Sequence, residues 1–273
     1  MTDYMRPGVM TDPGELSGRL DGLPADVAGV GRVVQGLLIH EFLGDLYGVT
    51  LTDAQKETVH LRKVSDMLAG IVALDGRPLD QARTPDRRLV TNCRGFTVLA
   101  VTLLRRAGVA ARARCGFGTY FGDGMRGDHW VAEFHDGQRW RLFDAQIDSV
   151  FGDAIKADFD VTDIARDVFI VAGDGWRRCR DGQDDPQRYG LTGVGQGWWW
   201  IAGNMVRDAA ALDNVEMLPW DCWGAMPERD REPDDWEFFD RLAAGRVDTA
   251  NDDRVRVPDK VWNALRERDE AVR

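Results

Sequence analysis

Apolar residues recur at helical spacing through "PADVAGVGRVVQGLLIHEFLGDLYG", a run that closes at Gly48. A second such run, "TDAQKETVHLRKVSDMLAGIVALDG", opens on Thr52 or Asp53 as a cap and closes at Gly76. The two predict an N-terminal helical hairpin over residues 1–76. "RPLDQARTPDRRLV" has two prolines and many charges, and reads as an irregular connection. In "TNCRGFTVLAVTLLRRAGV" the apolar positions Phe96, Leu99, Ala100, Leu103, Leu104 and Ala107 mark one buried helical face, ended by Gly108. The pattern then changes period. "VAARARCGF" alternates as a strand, "GTYFGDGMRG" is a glycine-rich loop, and "GDHWVAEFHDGQRWRLFDAQ" holds two alternating arms about Asp136-Gly137. A helix followed by three antiparallel strands predicts an α+β fold. Further on, "GQGWWWIAGNMVRDAAALDNVEMLPWDCWGAM" is aromatic-rich and then helical, and "DKVWNALRERDEAVR" reads as a terminal helix. With no repeat and no long linker, the expectation is one domain over 1–273. Its parts are a helical segment 1–76, a core 77–185 and a mainly helical segment 186–273.

Composition narrows the function classes. The 273 residues are 44% hydrophobic and 30% charged, which suits a folded chain rather than a disordered one. No apolar run approaches the roughly 18 residues of a membrane helix, and the opening residues lack a signal-peptide core. The expected setting is soluble and cytoplasmic, with no membrane partner. A net charge of −11 argues against nucleic acid as a partner. The four cysteines form no C-x-x-C pair, and the four histidines have no ligand spacing, so neither a metal nor another cofactor is expected. His40 and His60, inside the predicted helices, read as structural or surface residues. Charge is uneven: residues 77–117 hold nine Arg against two Asp, while 213–240 hold ten acids against two Arg. The two segments can pair across the fold, or the arginines can line an approach for an anionic substrate.

The chemistry-bearing residues lie on the helix and the two arms. Asp136-Gly137 is a preferred two-residue type I′ turn, and it would place His129 and Asp144 opposite each other. Their Cβ atoms would then be roughly 4.5–5.5 Å apart, close enough for the carboxylate to orient the imidazole. Cys93 sits in the first turn of the buried helix with Thr91 or Asn92 as cap, where the helix dipole favours a thiolate. A thiol, a base and a group that orients the base are what nucleophilic catalysis requires. Cys115 reads as packing, and Cys179 and Cys222 have no paired context.

"TNCRGFTVLAVTLLRRAGVAARARCGF", "GDHWVAEF" and "RWRLFDAQ", in that order, resemble the transglutaminase-like superfamily, with spacings of 36 and 15 residues between Cys93, His129 and Asp144. The resemblance spans roughly residues 85–150. It implies a papain/transglutaminase-like core, with a nucleophile helix packed on an antiparallel sheet. It further implies Cys93 as nucleophile, His129 as general base and acid, and Asp144 as the orienting carboxylate. Animal members usually follow the aspartate with Pro and Thr, whereas this chain has Ala145-Gln146, which counts against a protein-crosslinking role. The activity implied is acyl transfer from an amide or thioester through an acyl-enzyme, on a small-molecule or peptide substrate, by hydrolysis or aminolysis. A noncatalytic interaction module on the same scaffold is the rival class. Tyr120, on the glycine-rich loop, and Trp199 and Trp223, in the aromatic segment, are candidate substrate-binding residues.

Overall fold

The computed structural model describes residues 2–122 and 124–272; Asp123, in the glycine-rich loop, and Arg273, in the expected terminal helix, lie outside the described residues. The fold is α+β. Chain contacts divide it into two compact units, Met1–Ala113 with Val131–Ile164, and Arg114–Trp130 with Ala165–Arg273.

In the first unit, helix α1 (Val27–Leu37) starts where the Asp26 carboxylate accepts from Gly29 N–H at 2.8 Å. It does not continue to Gly48. Leu38 turns extended, and β1 (Leu38–His40) pairs in parallel with β2 (Leu89–Thr91). Tertiary contact sets this end: Arg83 N–H donates to the Gly36 carbonyl at 2.8 Å, and a Cβ on Gly36 would lie 3.0 Å from Ala82. Thr52 caps α2 (Asp53–Lys56) in a capping box with Gln55, as the sequence suggests, but a 3₁₀ turn follows and α3 (Val64–Leu74) begins afresh. The hairpin of two long helices is thus corrected to shorter helices broken by a strand and a 3₁₀ turn. Helices α1 and α3 both pack against α4 (Cys93–Arg106), every residue of which is buried as far as Arg105. Strands β3 (Ala111–Gly118), β4 (Arg126–His135) and β5 (Trp140–Phe143) follow. Strand β5 runs antiparallel to the end of β4, and α5 (Ser149–Ile155) starts at the Asp148 cap.

The second unit holds the strand order β6-β3-β4-β7-β8, with β6 (Phe169–Val171), β7 (Tyr189–Leu191) and β8 (Gly195–Gln196). Strand β6 runs antiparallel to β3, and β7 parallel to β4. Helix α6 (Ala172–Arg180) packs against α7 (Trp198–Leu212), and both pack on α8 (Trp236–Ala243). Trp176, Trp198, Trp236 and Phe239 fill that junction, with ring centroids 4.9–5.3 Å apart. The expected terminal helix is instead a hairpin of β10 (Lys260–Asn263) and β11 (Arg268–Ala271), with β9 (Asp221–Cys222) on the other side of β10. Burial there has period two, Val261 and Asn263 pointing inward, and Asn263 Oδ1 fixes the turn by accepting from Leu265 and Arg266 N–H.

Candidate active site

Cys93 is the first residue of α4 and is 6% exposed. Of the two expected caps, Asn92 serves: its Oδ1 accepts from Gly95 N–H at 3.2 Å, and its Nδ2 donates to the Val59 carbonyl at 3.3 Å. Gly95 is required here, because a Cβ would fall 1.9 Å from Thr91 Oγ1. The helix therefore begins in a fixed pose with Cys93 at the positive end of 14 residues of aligned peptide dipoles. Thr97 Oγ1 donates back to the Cys93 carbonyl at 3.1 Å.

Asp144 directly follows β5 in the same unit and is 1% exposed. Its N–H donates to the Val161 carbonyl at 2.9 Å, and its Oδ1 accepts from Gln146 N–H at 3.0 Å. The approach to it differs from the two-residue turn expected. His135 pairs with Trp140 and Ala132 with Phe143, so the loop has four residues, 136 to 139, and the register moves by two. Asp136 accounts for this, since its Oδ1 accepts from both Gln138 and Arg139 N–H at 2.8 Å. A two-residue move keeps each side chain on its original face, whereas a one-residue move would have reversed it.

In the second unit, His129 lies on β4, 2% exposed, inside an aromatic enclosure. Tyr120, Phe121 and Phe169 meet the imidazole edge-to-face, with centroids at 6.0, 5.0 and 6.3 Å. Two glycines make room: a Cβ on Gly127 would lie 2.6 Å from Phe121, and one on Gly118 2.7 Å from Phe121 and 2.8 Å from Tyr120. The glycine-rich loop thus folds back over its own hairpin. Next to His129, Asp128 accepts from Asn204 Nδ2; Asn204 Oδ1 in turn accepts from Arg207 at 3.1 Å, and Arg207 donates to the Asp221 carbonyl at 3.0 Å. This buried chain of polar groups holds the strand on the side away from the imidazole.

Of the three aromatic candidates, Tyr120 is brought to His129. Trp199 instead packs tilted against Trp200 at 5.0 Å and covers Gly195, and Trp223 donates its indole N–H to the Val255 carbonyl at 2.8 Å. Phe169 was not foreseen; it comes from a strand distant in sequence, and only the β3–β6 pairing brings it near.

The arginine-rich segment is largely consumed by structure. Arg83 donates to four carbonyls, Arg105 to Ala111 O and Thr11, Arg112 pairs with Glu133, and Arg114 with Asp208. Arg88 differs, since it lines a small cavity in the first unit. Among the other cysteines, Cys115 is fully buried. Burial, reinforced by Asp184, pushes the Cys179 thiol up to about 12. Among the described residues, no group of three or more His, Cys, Asp or Glu is placed to hold a metal ion, and no helix is long and apolar enough to cross a membrane.

A buried cysteine at a helix start is thus followed in the chain by a buried histidine on a strand and a buried aspartate just past another. Residues 59–145 match the model of the transglutaminase-like superfamily, the same family the three motifs resemble. A solved structure described as "a Putative Cysteine Protease from Cytophaga hutchinsonii" matches with 15% identity and a TM-score of 0.35, over 52% of this chain. The chain spans 40% of the length of that protein. No curated protein matches the sequence.

Proposed function

We propose that the protein is an acyl-transfer enzyme that cleaves or forms an amide or thioester-derived bond through Cys93, His129 and Asp144. The observation that carries this reading is the setting of Cys93, fixed by the Asn92 cap at the start of a buried helix inside the segment that matches the superfamily. The β4–β5 register supports it, since continuing that register pairs Asp144 with Val131, which shares a strand face with His129.

In the reaction, the Cys93 thiolate attacks the carbonyl carbon of the donor, and the Cys93 backbone N–H serves as an oxyanion donor. A carbon–sulfur bond forms, the bond to the leaving amine or thiol breaks, and His129 delivers the proton to that leaving group. His129 then takes a proton from water or from an incoming amine, which attacks the thioester and releases the thiolate. Asp144 orients the imidazole and supports its charged form. The enclosure of Tyr120, Phe121 and Phe169 limits the water around His129. The substrate is a small molecule or a peptide.

Rapid mixing with p-nitrophenyl acetate tests the reading. The expected result is a stoichiometric burst of nitrophenolate, with acetyl mapped to Cys93, and no burst in Cys93→Ala. No burst in the wild type would favour the noncatalytic module, and an equal burst in Cys93→Ala would place the nucleophile elsewhere; either result overturns the proposal.

A further inference from the structure

Helices α6, α7 and α8 of the second unit, with the chain that follows α8, surround an open-mouthed cavity of about 350 Å³. That is the lower end of the roughly 300–1,000 Å³ typical of small-ligand sites. Val171, Met205 and Ala209 are its buried apolar lining, and Leu212, Leu242 and Val247 its half-buried apolar lining. None of Tyr120, Phe121, His129 and Phe169 lines it, so the cavity is distinct from the enclosure of the imidazole.

Two ion pairs complete the lining. Arg114 and Asp208 form the inner one, with side chains 10% and 9% exposed. In the outer one Arg177 donates to Asp174 Oδ1 and also to the Ala243 carbonyl, and the two charged side chains are 52% and 27% exposed, open to a ligand. The lining thus holds two cations and two anions, and its charge sums to zero. A ligand with a net charge would enter a partly apolar space that has no opposite charge left over to balance it. A ligand carrying one charge of each sign keeps the balance and can bond to both members of a pair. The outer pair has capacity for this, since no hydrogen bond within the described residues engages Asp174 Oδ2, Arg177 Nε or the Thr249 hydroxyl, and all three residues line the cavity.

We propose that this cavity binds a free α-amino acid with an apolar side chain of about leucine's size. The ammonium donates to Asp174, the carboxylate accepts from Arg177 and Thr249, and the side chain covers the apolar lining. A carboxylic acid without the amine leaves Asp174 unused, and an amine without the carboxylate leaves Arg177 unused. The site draws on none of Cys93, His129 and Asp144, and its ligand is not required to be a substrate of the reaction proposed for them.

Titration calorimetry of the full-length protein with L-leucine, 4-methylpentanoate and 3-methylbutylamine provides the test. The three share one carbon body, and the last two each lack one of leucine's charges. Leucine should bind at one site per chain, and each of the others at least about tenfold more weakly, the worth of one charge-assisted hydrogen bond. Asp174→Asn should lower leucine binding about tenfold, towards that of 4-methylpentanoate. Gly173→Leu should abolish it, because a Cβ there stands 3.6 Å from Ala243, in ordinary contact, and the rest of the side chain fills the cavity. Thermal denaturation verifies that both variants fold, and if either does not, the comparison of the three ligands on the wild type decides alone. No binding of leucine at millimolar concentration would overturn the proposal, and so would equal binding of the three ligands. Leucine binding unchanged in both folded variants would put the ligand elsewhere and overturn it too.

Discussion

Glu41 follows β1, and its backbone N–H donates to the Thr91 carbonyl at 2.9 Å, two residues before Cys93. Burial pushes its carboxyl up from 4.5 to about 7, against the opposing pull of Lys56. The folded protein thus holds a proton on Glu41 that the unfolded chain has lost between these two values. Stability must fall as pH rises through that window and level off above it. The full gap corresponds to about 3 kcal/mol. Because the side chain is only half-buried, solvent screening reduces this to about 1–2 kcal/mol. Glu41→Gln removes the titration while keeping shape and hydrogen-bonding capacity. Urea denaturation of both proteins at intervals from pH 4 to 8.5 isolates the effect. The variant should match the wild type near pH 4 and exceed it by about 1–2 kcal/mol at pH 8. A difference that is flat with pH, or one that favours the wild type as pH rises, would mean that folding does not hold the proton on Glu41.

Asp208 accepts from Arg114 at 3.0 and 2.8 Å and from Cys115 N–H at 2.8 Å, with both charged side chains buried. Asp208→Asn strands the guanidinium, and urea melts should show a loss of about 3–5 kcal/mol; a loss below about 1 kcal/mol would show that the pair is not essential. Gly127→Ala drives a methyl into Phe121, so thermal denaturation should show a loss of about 1–3 kcal/mol, and unchanged stability would mean that the loop does not lie over the hairpin as described. Asp144→Asn should fold normally, as circular dichroism would verify, while turnover falls by about a thousandfold or more. Near-wild-type turnover in that variant would remove Asp144 from the mechanism.

Local rules succeeded wherever one element settles its own geometry. The helix α4, the Asn92 and Thr52 caps, and the strands β3 to β5 all follow from residues a few positions apart. They failed where partners distant in sequence decide. Leu38–His40 leaves the helix because β2 offers it a parallel ladder, and the last residues form a hairpin because β9 pairs with β10. The Asp136 turn shows a subtler miss. Asp-Gly suggested the shortest loop, yet the Asp136 carboxylate prefers the N–H groups of Gln138 and Arg139. The face of each strand survived because the shift was even. Phe169 was not readable at all, since only the pairing of β6 with β3 brings it to His129.

If Cys93 and His129 work as a pair, the pH dependence of Cys93 alkylation must show it. Iodoacetamide rates at Cys93, resolved by peptide mapping, are compared between wild type and His129→Gln from pH 5 to 9. With the pair in place, the wild type should be modified rapidly below pH 7.5, because an imidazolium beside the thiol would hold the thiolate. In His129→Gln the profile should move toward that of a free thiol, with its midpoint near 8.5. Superimposable profiles in the two proteins, or Cys222 modified while Cys93 stays inert, would contradict it.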